Sequence, residues 1–198
     1  MKNRLFLAFL FFFFLFSCKK KKNMTSTFNL SYERDNKNIV LNFENNTGSN
    51  IVFLAPNAIE FESLKNKNYQ DVYAVIKPDQ PNKDYQKILD SLYKKTLIDE
   101  GMQGLTDLKR PSDGHSVFCL KKGGSLKVYY NLVVRKTATP SKYKQIYYPY
   151  KRGMQENYLE KDYLGNFSKL NFGKAKFVLQ PVIEDSLFIN ITEKDTDY

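Results

Sequence analysis

The side chains able to do chemistry are few in this 198-residue chain, and their spacing limits what they can do. The single histidine, His115, lies in Asp113-Gly114-His115-Ser116, four residues before Cys119. On a strand, four residues share a face but stand about 13 Å apart, too far for a Cys-His dyad. Asp113 to Ser116 collects the residue types of a hydrolytic triad, but such a triad is assembled in space rather than along the sequence. One histidine and one cysteine outside the leader cannot make a zinc site of the usual His/Cys kind, and the acids do not group as a calcium loop. Glu60 and Glu62 share a face if their segment is extended, and nothing singles them out as a catalytic pair. Lys121-Lys122-Gly123-Gly124-Ser125 is glycine-rich but lacks phosphate-loop spacing and a following helix, so it reads as a β-turn. No G-x-S-x-G occurs. The expectation is a protein that is not an enzyme, with no catalytic residue, no metal and no cofactor.

The one stretch whose composition suits recognition is aromatic and basic. Residues 143–163 hold six tyrosines, with Lys144, Lys151 and Arg152 among them. Tyrosine offers a wide contact face with a polar tip, which favours interfaces. Tyr143, Tyr147, Tyr148, Tyr150, Lys151 and Arg152 form the candidate binding surface, for a glycan or a protein partner.

The address is written at the front. Lys2 and Arg4 precede twelve apolar residues, Leu5 to Phe16, of which seven are phenylalanine. In a helix this run spans roughly 18 Å, short of the ~20 residues a bilayer core requires. Length and flanks fit a secretory signal peptide over residues 1–17. Leu15-Phe16-Ser17-Cys18 resembles the lipobox of bacterial lipoproteins, with Cys18 as the acceptor. The resemblance implies a diacylglyceryl group on the Cys18 thiol, cleavage before Cys18, N-acylation with fatty chains such as palmitate, and a cell-envelope location with the outer membrane favoured. Two or three acyl chains hold a protein on a membrane where one binds only marginally. Lys19 to Lys22 follow at headgroup level, in a basic tether spanning residues 18–27.

Charge bears on partners. The formal net charge is +10. Loss of Lys2 and Arg4 with the leader leaves +8, and Lys19 to Lys22 account for half of that. The rest is spread along an exported chain, which argues against nucleic acid as a partner. With Cys18 acylated, Cys119 has no partner for an internal disulfide. Its apolar neighbours in Ser116-Val117-Phe118-Cys119-Leu120 predict a buried thiol.

Stepping along the chain, Ile39, Leu41 and Phe43 alternate with Val40, Asn42 and Glu44, the period of a half-buried strand. Asn45 to Asn50 are turn formers before the apolar run Ile51 to Ala55, which predicts a hairpin with Gly48 at positive φ. Residues 71–77 repeat the β pattern. Tyr85, Ile88, Leu89, Leu92 and Thr96 instead follow helical spacing, with Asn82 or Asp84 to cap the start and Gly101 the end. Residues 99–114 are an irregular excursion. Leu126, Val128, Tyr130, Leu132 and Val134 share one strand face, and Leu187, Ile189 and Ile191 another. Gly124-Ser125 before that long strand resembles an edge motif of immunoglobulin-like export modules.

The predicted fold is mainly β: an antiparallel β-sandwich, immunoglobulin-like or related, with one amphipathic helix, over residues 28–192, followed by a polar tail at 193–198. The function expected of it is that of a lipid-anchored, non-enzymatic envelope protein binding a protein or glycan. An envelope-polymer hydrolase using carboxylates and an inhibitor or immunity-type lipoprotein are the alternatives.

Overall fold

The computed structural model describes residues 27–35, 37–67, 71–77, 81–102, 104, 114–146, 158–179, 181–183 and 186–196, with the backbone alone at 146 and 158–162. The strands are β1 (Phe28–Asp35), β2 (Asn38–Asn45), β3 (Asn50–Pro56), β4 (Ala58–Ser63), β5 (Val72–Ile76), β6 (His115–Leu120), β7 (Ser125–Val134), β8 (Ser141–Ile146), β9 (Ala175–Val178), β10 (Val182–Ile183) and β11 (Phe188–Ile191). The helices are α1 (Lys83–Asp99), α2 (Tyr158–Ser168) and the short α3 (Glu193–Thr196). The chain is thus mainly β.

Two sheets form. One has eight strands in the order β10-β1-β2-β7-β5-β4-β8-β11, and the other three in the order β6-β3-β9. Pairing is antiparallel except for β1 with β10 and β3 with β9. The sandwich expectation is met. The division into eight and three differs from the four-and-three of an immunoglobulin constant-type domain.

The small sheet explains the architecture. Ile51 to Ala55 are all buried. A strand buried on both faces must lie between two layers. Ile51, Phe53 and Ala55 join the core shared with the large sheet. Val52 and Leu54 face the other way, toward Leu89 of α1 and Leu164 and Phe167 of α2. The molecule is therefore layered as large sheet, small sheet, helix pair. Phe53 is the keystone of the inner layer, with ring centroids 4.8 Å from Phe28, 4.6 Å from Phe43 and 5.6 Å from Phe118.

This layering corrects two expectations. Asn45 to Asn50 do not make a hairpin, because β2 lies in the large sheet and β3 in the small one. The positive-φ glycines are Gly101, Gly114, Gly123 and Gly173, so Gly48 does not need the left-handed region. The side chain of Asn45, buried, does the turning. Its amide donates to the carbonyls of Ser49 (2.9 Å), Leu120 (3.2 Å) and Lys121 (3.0 Å), and its oxygen accepts from the Thr47 backbone N–H at 3.0 Å. The second correction is the helix count: three, not one, among the described residues.

Helix α1 is built as its sequence predicts. Asn82 accepts from the backbone N–H of Tyr85 at 3.1 Å, an N-cap bond. At the other end Gly101 has φ +72, its N–H reaches Ile98 O, and the Met102 N–H reaches Leu97 O. That pair of bonds is a Schellman motif, which favours glycine in the left-handed position. Gln86 of α1 also closes the free edge of β6, accepting from Val117 N–H and donating to His115 O. An edge satisfied in this way is a poor template for a foreign strand.

The large sheet curls until its ends meet. The Arg34 guanidinium of β1 donates to Asn190 O of β11 at 2.9 Å and pairs with Asp195 of α3 at 3.5 Å. Residues 193–196, read from the sequence as the start of a polar tail, form this helical turn. Asp195 accepts from both the N–H and the hydroxyl of Thr192. Those donors, more than Arg34, hold its carboxyl below the usual range.

Beneath the seam sits a polar cluster. Tyr130 is fully buried and donates to Pro56 O at 2.8 Å. Burial raises the pKa of both Tyr130 and Tyr32 above the ordinary value of 10.0. The buried Gln145 amide lies beside the Tyr32 hydroxyl, yet neither of its ends completes a bond of good geometry. A group whose folded pKa is raised keeps its full stabilising effect below its unfolded pKa and loses it as pH rises above that value. Stability should therefore fall above pH ~10 by about 1.4 kcal/mol per pH unit for each such tyrosine. In Tyr130→Phe the alkaline slope is expected to lose one such contribution, read from urea midpoints between pH 9 and 11 alongside phenolate absorbance. An unchanged slope contradicts the buried phenol.

Candidate functional site

The outer face of the large sheet carries no covering layer among the described residues. Helices α1 and α2 pack on the small sheet instead. Strand parity decides what this outer face shows. In β5, Val72, Ala74 and Ile76 point inward, leaving Tyr73 and Val75 outside. In β7, Val128 and Tyr130 are buried and Tyr129 is 37% exposed. In β11, Ile189 and Ile191 are buried and Phe188 is exposed.

Each of these three outward rings has a cation over it. Lys77 Nζ lies 5.8 Å from the Tyr129 centroid, the Arg135 guanidinium 5.8 Å from that of Tyr73, and Lys142 Nζ 4.4 Å from that of Phe188. At exposed sites such contacts contribute about 0.5–1 kcal/mol each. They hold the charged ends of long side chains against the rings of this face.

The register sets the spacing. Tyr129 neighbours Lys77, and Tyr73 pairs across from Val133, so the two tyrosines lie four residues apart along the strands, or about 13 Å. Tyr73 pairs with Glu60, while Glu62 pairs with Lys144 and Lys144 with Phe188. Phe188 therefore lies three strands beyond Tyr73, about 14 Å across the sheet. The three rings cross the face on a diagonal. Charges of both signs share the face. Lys127 is paired with Glu33 at 2.7 Å, which raises the lysine pKa. Glu60 and Glu62, half-buried on β4, share this face as their spacing predicts. Because the sheet curls around its core, the face is convex. A convex face makes no pocket for a small molecule, but it can lie along a polymer.

Of the surface expected from sequence, only Tyr143 has its side chain among the described residues. Tyr143 is fully buried, and its hydroxyl donates to Thr139 O at 3.1 Å. It belongs to the core because its parity on β8 matches that of Gln145, also buried. Tyr163 is also buried, on α2, edge-on to Tyr93 at 5.2 Å. Tyr147, Tyr148, Tyr150, Lys151 and Arg152 lie outside the described residues, as does Cys18. The signal for the observed face was present but diluted, since Tyr73, Tyr129 and Phe188 are single aromatics at the outward parity of three distant strands.

The other candidates resolve as follows. His115 is buried at the start of β6, and the exposed Cys119 stands four residues on, at the same strand parity. Cys119 corrects the expectation of a buried thiol. Its side chain points to the helix side of the small sheet at a place the helices leave open. Partial burial still raises its pKa, which lowers the thiolate fraction and argues against a nucleophile. The Lys121 to Gly124 segment is the β-turn expected, with Gly123 at φ +70 and the Gly124 N–H on Lys121 O at 3.0 Å. Most of the excursion at 99–114 lies outside the described residues. Among the described residues no three of His, Cys, Asp and Glu come together as a metal site. No protein family matches the chain, nor does any curated protein or solved structure.

Proposed function

We propose that this is a lipid-anchored protein of the bacterial cell envelope, favouring the outer membrane, that binds an anionic glycan without chemical turnover. The observation that carries the binding part is the diagonal of three ring–cation pairs on the outer face of the large sheet. Sugar rings stack on aromatic faces, and carboxylates of uronic acids meet the cations beside them. Rings spaced about 14–16 Å apart suit an extended chain of several sugars better than a single one. The anchoring part rests on the apolar leader that ends in Ser17-Cys18 and the four lysines that follow.

The test is a titration with uronic-acid and neutral oligosaccharides against the native chain and a Tyr73→Ala, Tyr129→Ala, Phe188→Ala triple variant. At about 1 kcal/mol per aromatic contact, the triple variant should bind the acidic oligosaccharide about a hundredfold more weakly, with its thermal unfolding little changed. Equal binding by the two proteins rejects this face. Release of new reducing ends on prolonged incubation would favour the hydrolase alternative. Mass spectrometry of the native N-terminus tests the anchor, with three acyl chains expected on residue 18 and its amine.

A further inference from the structure

The geometry points to a second contact surface: the end of the fold where the chain enters docks on anionic lipid headgroups. This rests on the anchoring half of the reading above and is independent of the glycan-binding face.

Four segments meet at that end. The Asn46 N–H donates to Thr27 O, so the chain arrives beside the Asn45 turn. Asn45 N–H bonds Gly124 O, and its side chain gathers the carbonyls of Leu120 and Lys121. The Lys122 N–H bonds the Asn50 side chain at 3.0 Å. Asn50 in turn pairs with Ala175, which brings in the turn before β9. Lys121, Lys122, Lys174 and Lys176, all exposed, therefore crowd around the point of entry. None is in an ion pair among the described residues, and the nearest acid placed there by register is Glu44, opposite Ser125.

Apolar side chains stand at the same place. Val182 of β10 pairs with Asn29, two residues after Thr27, and is 55% exposed. Ile183 and Leu179 beside it are exposed too. An edge strand of two residues with both side chains in water gains nothing from the fold. Lysines interleaved with exposed aliphatics are what an interfacial contact uses: charge for headgroup phosphates, apolar side chains for the acyl boundary. The tether of residues 19–27 extends to about 30 Å at most, so an anchor at Cys18 keeps this end near the bilayer and makes weak contacts effective. Each lysine near an anionic surface strengthens binding about fivefold, and four together by the order of several hundredfold.

The experiment uses the full, acylated protein. With Cys18 acylated, Cys119 is the one free thiol, and it lies two residues before Lys121. A dye on Cys119 should transfer energy to a headgroup acceptor more strongly in phosphatidylcholine vesicles containing phosphatidylglycerol than in phosphatidylcholine alone. The gain should disappear in high salt and in K121E/K122E/K174E/K176E, although that variant still floats with the vesicles. Equal transfer in both vesicle types overturns the proposal. So does transfer between two dye-labelled copies with none to the headgroups, which would make Val182 and its neighbours a self-association surface. If two thiols label and the protein does not float, the anchor reading fails on its own. Docking is then read by sedimentation of the unacylated chain with the anionic vesicles: salt-sensitive binding lost in the quadruple variant supports it, and equal binding by both proteins overturns it.

Discussion

Phe53→Ala is expected to lower the unfolding free energy by about 4 kcal/mol. The ring of Phe53 meets Phe28 and Phe43 of the large sheet and Phe118 of its own sheet. Its removal leaves a void walled by two rigid sheets, which relax little, so the loss includes both the transfer of the ring and the cavity it leaves. Against a total stability of about 5–15 kcal/mol for a domain, this is a large fraction. The thermal midpoint should fall by roughly 8–16 °C for a chain of this size. Urea unfolding should show a lower midpoint with an unchanged slope, since the surface exposed on unfolding is nearly the same. Tyr129→Ala is the control. It removes a ring from the solvent face of the same fold and should cost about 1 kcal/mol or less. If the two variants are equally destabilised, the small sheet is not packed on the large one through Phe53.

What the sequence revealed depended on how many layers each element touches. Strands with one wet face show alternation, so the inward positions of β2, β7 and β11 could be assigned by parity, with Ile39, Leu41, Phe43, Val128, Tyr130, Ile189 and Ile191 all buried, although Val40, on the opposite face of β2, is buried too. Helix α1 was legible for the same reason, with one buried face and caps at Asn82 and Gly101. Ile88 was the exception on that face, 40% exposed at its edge. The strands β3 and β6 read only as apolar runs. Such a run tells that two layers cover a strand, but not which sheet holds it, and a hairpin was the wrong local inference for β2 and β3. Cys119 was misjudged because burial of its neighbours Phe118 and Leu120 comes from the large sheet, whereas its own face depends on how far the helices extend. Helix α2 was hidden by composition. Its tyrosines looked like a surface patch, while Tyr163, Leu164 and Phe167 follow helical spacing and are buried. Of the six tyrosines close in sequence, Tyr143 and Tyr163 are buried, whereas the three rings of the outer face lie far apart in sequence and only strand pairing brings them together.

Asn45→Ala should cost about 3 kcal/mol, although it removes only a few atoms and no apolar contact. The native amide satisfies three carbonyls from two segments at once, Ser49 on one side and Leu120 and Lys121 on the other, and Asn45 itself has no solvent access. Each buried polar group left without a partner costs about 1–3 kcal/mol, and water entering the small gap recovers part of that. Asn45→Asp separates hydrogen bonding from shape. The carboxylate has nearly the same outline but cannot donate, and it turns a negative oxygen toward the Leu120 and Lys121 carbonyls. At neutral pH it should be more destabilising than alanine. Its folded pKa would be raised by burial and by those carbonyls, so its penalty should shrink as pH falls and the acid regains a donor, the reverse of an ordinary surface aspartate. Urea midpoints for the native, alanine and aspartate chains at pH 7 and pH 4 decide it. If aspartate is no worse than alanine at pH 7, the three carbonyl bonds do not govern this turn. Because the same bonds hold the chain entry against Lys121 and Lys122, both variants should also weaken the vesicle contact under conditions where the protein remains folded. In this chain, one buried amide at the end of β2 turns the backbone out of the large sheet and sets the position of the surface that faces the membrane in the proposed docking.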